Sequence, residues 1–570
     1  MANGPYAHNE GEQTDAPGRA SHAEGEETQA IGKGSHAEGG TDEDTNLKTI
    51  AFSDFSHAEG LGTHAGTLDS DIKGLATHAE GGLTEAIGSF SHAEGGSSKA
   101  IGAVSHAEGA STAHAEFSHA EGGAEAFGLT SHAEGISVTT DTGIYSHAEG
   151  YETKSSGGYG SHAEGNSTEA TATSTHAEGY ETHATNPNSH AEGRSTTAGG
   201  EAAHAEGRST TAGGEAAHAE GYEVHADGPR SHAEGDNTQA IKIGSHAEGY
   251  YTIASGEASH AEGAGGTTSS NWASHAEGYG TIATGEFSHS EGSNNWASGE
   301  ASHAEGTSNI SSGHYSHAEG ASNISSGHYS HAEGELTDTN GFTGAHIMGT
   351  TGKADADYSW FLANGNNDDN TGHNLAAKII GSGPNNGRGF ADIAWIGGGA
   401  DFAEMFETVE GQPIDVGYFV TLDGDKIRKA NSADNYILGI TSSNPSFLAD
   451  SGELRWKNKF LMDEWGRLQF HDIVIPAVTD QEGNVMTPKR IEVRPVVNPE
   501  YDPTREYISR LDRPEWRAVG LIGKILVRDD GTCQVNGFCK PNHEGLATAS
   551  NVGYRVMNRT APNQILVLFR

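Results

Sequence analysis

Along residues 8–350 the apolar positions are small, and they recur in a fixed pattern without the long apolar runs of a globular core. The word Ser-His-Ala-Glu-Gly first stands complete at Ser21–Gly25, and its His-Ala-Glu-Gly core occurs 21 times. Successive motif histidines mostly lie 14 residues apart. A unit such as Ser21–Gly34 contains two short strand-like segments, each followed by a glycine-containing turn. The pattern predicts one coil of a β-solenoid per repeat.

Strand alternation assigns the side chains of each coil to two faces. In the first complete unit the inner face holds Ser21, Ala23, Thr28 and Ala30, and the outer face holds His22, Glu24, Gln29 and Ile31. At about 25 cal/mol per Å², so small an inner face cannot offset an ordering cost of about 1–2 kcal/mol per residue. We therefore expect the outer face to be buried against further copies of the chain.

Two steps between motif histidines are 21 residues long, namely His36–His57 and His57–His78. The extra residues fall at 41–50 and 65–75. We expect both insertions to project as loops while the coils on either side stay stacked.

Composition supports an extended repeat protein. Of 570 residues 81 are Gly and 34% are hydrophobic, which is too little apolar volume for the three or four compact domains that the length would allow. The formal net charge is −46. Nearly all of it lies in residues 1–400, which carry a net −42 against −4 for residues 401–570. A field of this sign repels phosphate backbones, so we expect no nucleic-acid partner.

Targeting signals and cysteine chemistry add little. The segment Met1–Pro5 has neither a basic nor an apolar signal region, and the longest apolar runs are too short to span a membrane. We therefore expect synthesis in a cytoplasm without a signal peptide, and no membrane insertion. Cys533 and Cys539 are interpreted as ordinary thiols, with a local disulfide as the alternative. We expect no metal and no cofactor.

The S-x-A-x-G…A-x-G rhythm of residues 8–350 resembles the head repeats of YadA-type trimeric adhesins. The resemblance implies a left-handed parallel β-roll and a homotrimer. Those repeats typically carry Val and Ile where this chain carries His and Glu, on a strand face that looks toward the trimer interior. By analogy, the subunit interface would be lined by the pairs His22/Glu24, His36/Glu38, His92/Glu94, His232/Glu234 and their equivalents.

Stacked coils would place successive glutamates about 4.8 Å apart, which is unfavourable unless their charge is neutralised. The histidine two residues earlier shares their face. We therefore predict a hydrogen-bonded His–Glu network along the fibre, with a solvated acidic face as the alternative. If these hydrogen bonds are charged, the histidine pKa values should lie above about 6.5, and stability should be greatest from mildly acidic to neutral pH.

The repeat ends near residue 350, and we predict a β connector over 351–400 and a mainly β domain over 401–570. In that domain short apolar segments indicate strands at Tyr418–Leu422, Ile437–Thr441, Ile473–Val478, Ile491–Val497, Val519–Val527 and Gln564–Phe569. The run Gly397–Gly399 matches no phosphate-binding loop and is interpreted as a flexible hinge.

The junction Gly399–Glu407 reads G-A-D-F-A-E-M-F-E. It resembles the G-A-D-Y-A-E-x-F-E signature of the autoproteolytic intramolecular-chaperone domain of phage pre-neck appendage proteins, which are classed among glutamic peptidases. Further matching segments include Gly417–Val420, Arg513–Trp516, Val519–Lys524 and Gly553–Met557. The resemblance implies that the domain trimerises, assists folding of the upstream β-structure and then cuts itself away before the signature aspartate.

That cut maps onto the Ala400–Asp401 bond, with Asp401 and Glu404 as the catalytic pair. Two carboxyl groups in different environments can divide the tasks of activating water and protonating the departing amine, and the sequence leaves the assignment open. Ala400 has no hydroxyl, so a serine-type acyl shift is unavailable. A rival dyad of Ser446 and Lys426 has no support from spacing.

The sequence thus predicts an all-β chain: a trimeric 14-residue-coil β-roll followed by a self-cleaving chaperone domain with a single intramolecular turnover. We expect a phage or prophage tail or neck appendage in the virion, with other virion proteins and a host-surface receptor or glycan as partners. The alternatives are a bacterial surface trimeric adhesin and a polysaccharide-degrading tailspike. Periodic, interchangeable glutamates supply no unique acid pair for the latter.

Overall fold

A computed structural model describes residues 4–42, 46–68, 74–139, 143–365, 373–392, 394, 397–452, 458–476, 478–479, 485–487 and 489–570. The chain forms two compact units, Met1–Leu375 and Ala376–Arg570. We call the first the roll and the second the C-terminal unit. The described residues form β-strands and one 3-10 turn at Gly383–Asn385, and they contain no α-helix. No helix among them is long and apolar enough to cross a membrane.

Each coil of the roll begins with a strand that starts at the motif histidine, or at Trp360 in the last coil. These first strands pair in parallel and in register, so that His22 lies opposite His36 and His36 opposite His57. They are His8–Glu12, His22–Glu26, His36–Asp42, His57–Leu61, His78–Gly82, His92–Gly96, His106–Gly109, His119–Gly122, His132–Thr139, His147–Ser155, His162–Asn166, His176–Tyr180, His190–Arg194, His204–Arg208, His218–Tyr222, His232–Asp236, His246–Tyr250, His260–Ala264, His275–Tyr279, His289–Ser293, His303–Thr307, His317–Ala321, His331–Asp338, His346–Lys353 and Trp360–Asn364.

Most coils also contain a two-residue second strand, and these too stack in parallel. They are Gln29–Ala30, Ile50–Ala51, His64–Ala65, Glu85–Ala86, Lys99–Ala100, Thr112–Ala113, Glu125–Ala126, Glu169–Ala170, His183–Ala184, Thr197–Ala198, Thr211–Ala212, His225–Ala226, Gln239–Ala240, Ile253–Ala254, Thr268–Ser269, Ile282–Ala283, Trp296–Ala297, Ile310–Ser311 and Ile324–Ser325. The parallel 14-residue solenoid predicted from the spacing is confirmed. Its handedness and its trimeric state stay predictions.

The first insertion contains Leu47–Lys48, a short strand antiparallel to the end of His36–Asp42. The coils continue in register across it and across the second insertion, where His57 lies opposite His78. Both insertions therefore leave the stack unbroken, as predicted. Residues 43–45 and 69–73 lie outside the described ranges.

The interior of the roll is made of the small residues that alternation predicts. Ala23, Thr28 and Ala30 are fully buried, and Ser21 is 2% exposed. The Ser21 hydroxyl donates a hydrogen bond to the Gly18 carbonyl oxygen at 2.8 Å, which satisfies a polar group that would otherwise be costly to bury. At the motif glycines adjacent coils approach closely, since a Cβ at Gly25 would overlap the Gly39 carbonyl oxygen.

The C-terminal unit is organised around one long strand, Trp516–Arg528. Its main sheet runs in the order Lys426–Lys429, Phe419–Asp423, Gly439–Thr441, Trp516–Arg528, Gln564–Phe569, Tyr554–Ala561, Phe538–Pro541 and Ala547–Ser550. Asp401–Glu407 pairs with Trp516–Arg528 and with Phe447–Ala449. The remaining strands are Leu375–Ile379, Gly389–Ala391, Phe470–Ile475, Val478–Thr479, Val485–Thr487 and Arg490–Pro495.

All six predicted strand segments of this unit overlap observed strands. Its core contains large side chains such as Phe419, Ile440 and Ile565, each fully buried. Cys533 and Cys539 are free thiols in the same core. The division at residues 350 and 400 stays a prediction.

Candidate functional site

The junction strand Asp401–Glu407 places the two predicted catalytic residues on different faces. Along it, Asp401, Ala403 and Met405 are buried, whereas Phe402 is exposed. Side chains three positions apart in a strand point to opposite sides. Glu404 therefore lies on the face of Phe402, and the structure does not bring its carboxylate together with that of Asp401 within one chain.

The Asp401 side chain is 6% exposed, and its Oδ2 is buried without a hydrogen-bond partner among the described residues. Gly520 makes room for it, since a Cβ at that position would lie 2.5 Å from Oδ2. Burial raises the pKa of Asp401, and hydrogen bonds from the Ser442 hydroxyl and from its own backbone N–H oppose the shift. Burial thus makes ionisation of Asp401 less favourable than ionisation of a solvated aspartate.

The carbonyl groups of the two residues joined at the predicted cut each accept a hydrogen bond from a backbone N–H. The N–H of Lys524 donates to the Ala400 carbonyl oxygen at 3.0 Å, and the N–H of Ser446 donates to the Asp401 carbonyl oxygen at 2.8 Å. Ala400 itself is exposed. The peptide bond is therefore fixed at both ends while one side stays open.

A cavity of about 550 Å³ adjoins this bond. Its lining includes Ala400, Asp401, Ser442, Asn444 and Lys524. It has room for water next to the Ala400 carbonyl group, which peptide hydrolysis requires.

The rival Ser446/Lys426 dyad gains no support. The Lys426 ammonium donates to Glu407 Oε1 at 2.7 Å, which raises the pKa of Lys426 and keeps it charged. A charged ammonium cannot act as the base for a serine. Ser446 instead contributes its backbone N–H next to the predicted cut.

Sequence reasoning missed Ser442, Ser446, Gly520 and Gly523 as neighbours of the junction. Gly520, Gly523 and Lys524 were present in the segment Val519–Lys524 that carries the family resemblance. That glycine pattern was the available signal, because glycines in a strand mark a bulge or a close backbone approach.

The second predicted site is the column of histidines and glutamates on the outer face of the roll, here called the His–Glu column. Its imidazole rings follow one another along the coils from His8 to His346, with successive centroids 4.5–4.9 Å apart and most pairs stacked. In most coils the His Nε2 and Glu Oε2 atoms lie 3.5–4.0 Å apart, as at His22–Glu24, His36–Glu38, His92–Glu94 and His232–Glu234.

Those distances are too long for hydrogen bonds. Among the described residues of the column, a hydrogen bond forms between His317 Nε2 and Glu305 Oε1 at 3.2 Å. Nε2 of His22, like that of most others, is buried without a partner. The predicted hydrogen-bonded network is therefore not formed within one chain.

Several histidines of the column have lowered pKa values within one chain. Burial, followed by the neighbouring imidazoles, lowers the pKa values of His57, His92 and several others. The same causes lower the pKa of His331 to about 4. Within one chain, loss of hydration and like-charge neighbours outweigh the attraction of glutamates at nearly 4 Å. The rise above about 6.5 that charged hydrogen bonds at a subunit interface would produce stays a prediction.

The column also offers groups of metal-ligand atoms, such as those of His22, Glu24 and His36, which lie within 4.8 Å of one another. The rings of His22 and His36 are stacked 4.7 Å apart with an interplanar angle of 2°. Because an imidazole binds a metal in the plane of its ring, one ion cannot lie in both planes. His22 and His36 of one chain therefore do not fit a bridging metal, and neither do other near-parallel pairs such as His36 and His57.

The junction lies in a part of the chain that is similar to a known protein family. Residues 356–564 match the family model described as Peptidase_G2, IMC autoproteolytic cleavage domain. The resemblance predicted for this part of the chain is confirmed.

Named relatives point to the same class. The chain is 38% identical over 163 residues to the pre-neck appendage protein of Bacillus phage B103, which covers 29% of this chain and 17% of that protein. It is 41% identical over 133 residues to the preneck appendage protein of Bacillus phage PZA, with coverages of 23% and 14%. The solved C-terminal fragment of bacteriophage phi29 gene product 12 is 33% identical to this chain, with a TM-score of 0.25. The match covers 30% of this chain and 100% of the fragment. The chain spans less than a fifth of the length of these curated relatives.

Proposed function

We propose that this chain is a phage or prophage appendage fibre whose C-terminal part assists trimer folding and then cuts the Ala400–Asp401 bond. The observation that carries the proposal is the environment of the Ala400–Asp401 bond. A buried aspartate, whose pKa is raised by that burial, follows a carbonyl group that a backbone N–H holds, inside a segment that matches an autoproteolytic domain family. The fibre would be assembled in the host cytoplasm and would join the virion, with other virion proteins and a host-surface receptor or glycan as its partners.

In this proposal Asp401 is the general acid. Its carboxyl group interacts with its own backbone N–H, so it is next to the nitrogen that must leave. Water adds to the Ala400 carbonyl carbon, the C–N bond breaks, and the Asp401 nitrogen takes a proton from the carboxyl group. The products are a shaft ending in the Ala400 carboxylate and a fragment with a free Asp401 amine.

Glu404 would be the general base that takes the proton from water. Because it lies on the opposite face of its own strand, we propose that Glu404 of a neighbouring subunit serves each Asp401. Cleavage would then wait for the trimer, since a monomer would lack the complete pair.

The direct test is the size and N-terminal sequence of the fragments. Wild-type protein should yield a fragment that begins at Asp401, whereas Glu404→Gln and Asp401→Asn should each lower the cleavage rate by about 10²–10⁴-fold and give full-length trimers by light scattering. A fragment that begins at another residue would overturn the proposed cut. Wild-type cleavage in Glu404→Gln would remove Glu404 from the mechanism.

Mixed trimers test which subunit supplies the base. When size-tagged Glu404→Gln chains are coexpressed with Asp401→Asn chains, the former should be cut, because each keeps its own acid and receives the base of a neighbour. Each variant expressed alone is the control. No cleavage in the mixture would place both carboxyl groups in the same subunit.

A further inference from the structure

The glycines before the predicted cut do not form a uniform linker. A Cβ at Gly399 would overlap the Ser446 backbone nitrogen and the Asn444 carbonyl oxygen. A Cβ at Gly397 would lie 2.5 Å from the Ser446 carbonyl oxygen. At Gly398 nothing lies within 4 Å of the added atom. Two of the three positions therefore have no room for a side chain, which differs from the flexible hinge that the sequence suggested.

The turn that excludes these side chains also binds the chain just after the cut. Asn444 and Ser446 pack against residues 397–399, and the Ser446 N–H donates to the Asp401 carbonyl oxygen. One short segment thus touches the backbone on both sides of the bond. That arrangement positions a substrate strand rather than a tether between domains.

Gly523, in the neighbouring strand Trp516–Arg528, also approaches the Ala400–Asp401 bond closely. It lies opposite Asp401 in the antiparallel pair and has φ +125°, a conformation that disfavours residues with a Cβ. A Cβ there would lie 2.5 Å from the Ala400 carbonyl oxygen and 2.7 Å from Asp401 Cα. Only glycine lets the following N–H, that of Lys524, reach the Ala400 oxygen at 3.0 Å.

We propose that these contacts form a substrate seat, made of Asn444–Ser446 and Gly523–Lys524, that holds Gly397–Ala400 as a fitted cleavage segment and supplies a catalytic backbone donor. The donor is the Lys524 N–H. It stabilises the negative charge that develops on the Ala400 oxygen when water adds to the carbonyl carbon, and it returns to an ordinary hydrogen bond when the C–N bond breaks. The seat admits glycine at 397 and 399 and tolerates larger residues at 398. This inference rests on the proposed self-cleavage.

The distance of 3.0 Å lies within the range that an effective oxyanion donor needs. An ordinary ladder hydrogen bond would have the same length. What distinguishes this one is its place at the predicted cut, next to a glycine whose conformation and contacts leave no alternative residue. The adjoining cavity gives water access to the same carbonyl group.

The test compares matched glycine variants in the full-length chain, with the rate of fragment appearance measured by pulse–chase. Gly399→Ala should slow cleavage by about 10²-fold, because a displacement of about 1 Å at the reacting bond has effects of that size. Gly398→Ala should cleave like wild type. Equal rates for the two variants would overturn the seat.

Two further substitutions test the donor. Gly523→Ala should slow cleavage by about 10²–10³-fold, the usual cost of an oxyanion donor. Gly531→Ala is its control, since Gly531 also has a positive φ, +88°, but no atom within 4 Å of an added Cβ. Lys524→Ala keeps the backbone N–H and removes the ammonium group, so its cleavage rate separates the two as candidates for the donor.

Light scattering and thermal unfolding show whether each variant is a folded trimer, and only folded variants are compared. If Gly523→Ala does not fold, the Gly398/Gly399 pair and Lys524→Ala still decide the question. Slow cleavage in Lys524→Ala would transfer the role from the backbone to the ammonium group and overturn the proposed donor. A wild-type chain that is not cut at Ala400–Asp401 would instead refute the proposed function.

Discussion

The roll and the C-terminal unit bury their interiors in opposite ways. The roll buries alanine, serine and threonine, and each coil pairs with its immediate neighbours in the sequence. The C-terminal unit buries Phe419, Ile440 and Ile565, which come from distant parts of the chain and meet around one long strand. The roll is therefore stabilised by many weak, similar contacts between coils and has no dominant folding nucleus. The C-terminal unit folds as one cooperative core.

The difference explains why the two would occur together. A stack of identical coils can pair out of register by one whole repeat at little cost, since each coil presents the same residues to the next. A compact neighbour with a unique core can fix a starting point. We therefore expect the C-terminal unit to matter most while the roll is forming.

The largest expected effect follows from removing that neighbour. Deletion of residues 401–570 should give aggregated or misregistered shaft, because the thin coils have no nucleus that brings chains together. The measurement is soluble yield and mass by light scattering, with uncut Glu404→Gln protein as the control. A soluble trimeric shaft from the truncated gene would show that the coils find their register unaided.

The next effect is a break in one coil. Gly207 has φ +115°, and a Cβ there would overlap the Gly221 carbonyl oxygen of the next coil. Gly207→Ala should lower the free energy of unfolding of the shaft by about 3 kcal/mol or more. Gly244→Ala is the matched control, with φ +63° and open space around the added atom, and should cost about 1 kcal/mol. Thermal unfolding of the two variants measures the loss of stability in each. Equal losses would mean that neighbouring coils move apart easily enough to accommodate the added Cβ.

These glycines also show what the sequence could predict. The repeat predicts the coil, the inner face and the register, because the same residues recur at the same positions in each coil. The seat around Ala400 has no such repetition: Ser446 and Gly523 reach it from segments 46 and 123 residues further along the chain. Alternation could have placed Asp401 and Glu404 on opposite faces once the junction was recognised as a strand.

The direction of the histidine pKa shifts was not predictable from the motif alone. The His-Ala-Glu motif suggests an ion pair, which would raise the histidine pKa. Whether the pKa rises or falls depends on the balance between loss of hydration and attraction to the glutamate, and that balance depends on distances. At His92 the glutamate Oε2 is 3.6 Å away, while stacked rings lie on both sides. The balance favours the neutral ring.

The smallest expected effect per residue is the response to acid. A histidine whose folded pKa lies below its unfolded value of about 6.5 stabilises the fold fully above that value and loses the contribution as pH falls toward the folded pKa. The shaft Tm should therefore fall between pH 7 and pH 5, by about 5 °C or more. Circular dichroism would follow it.

His331→Gln removes the group whose pKa is lowered to about 4, so the fall in Tm should become smaller in this variant. Replacement of the exposed His543, outside the roll, serves as the control. A shaft that becomes more stable on acidification would restore the charged network within the assembled fibre.

The in-register stacking of coils has a consequence for inheritance. Residues 190–203 and 204–217 are identical 14-residue units, and their first strands pair with each other in parallel and in register. Gain or loss of such a unit by unequal recombination would change the reach of the fibre by one strand spacing and leave every other coil undisturbed. Fibre length is therefore a trait that a lineage can adjust in single heritable increments, separately from the machinery that assembles it.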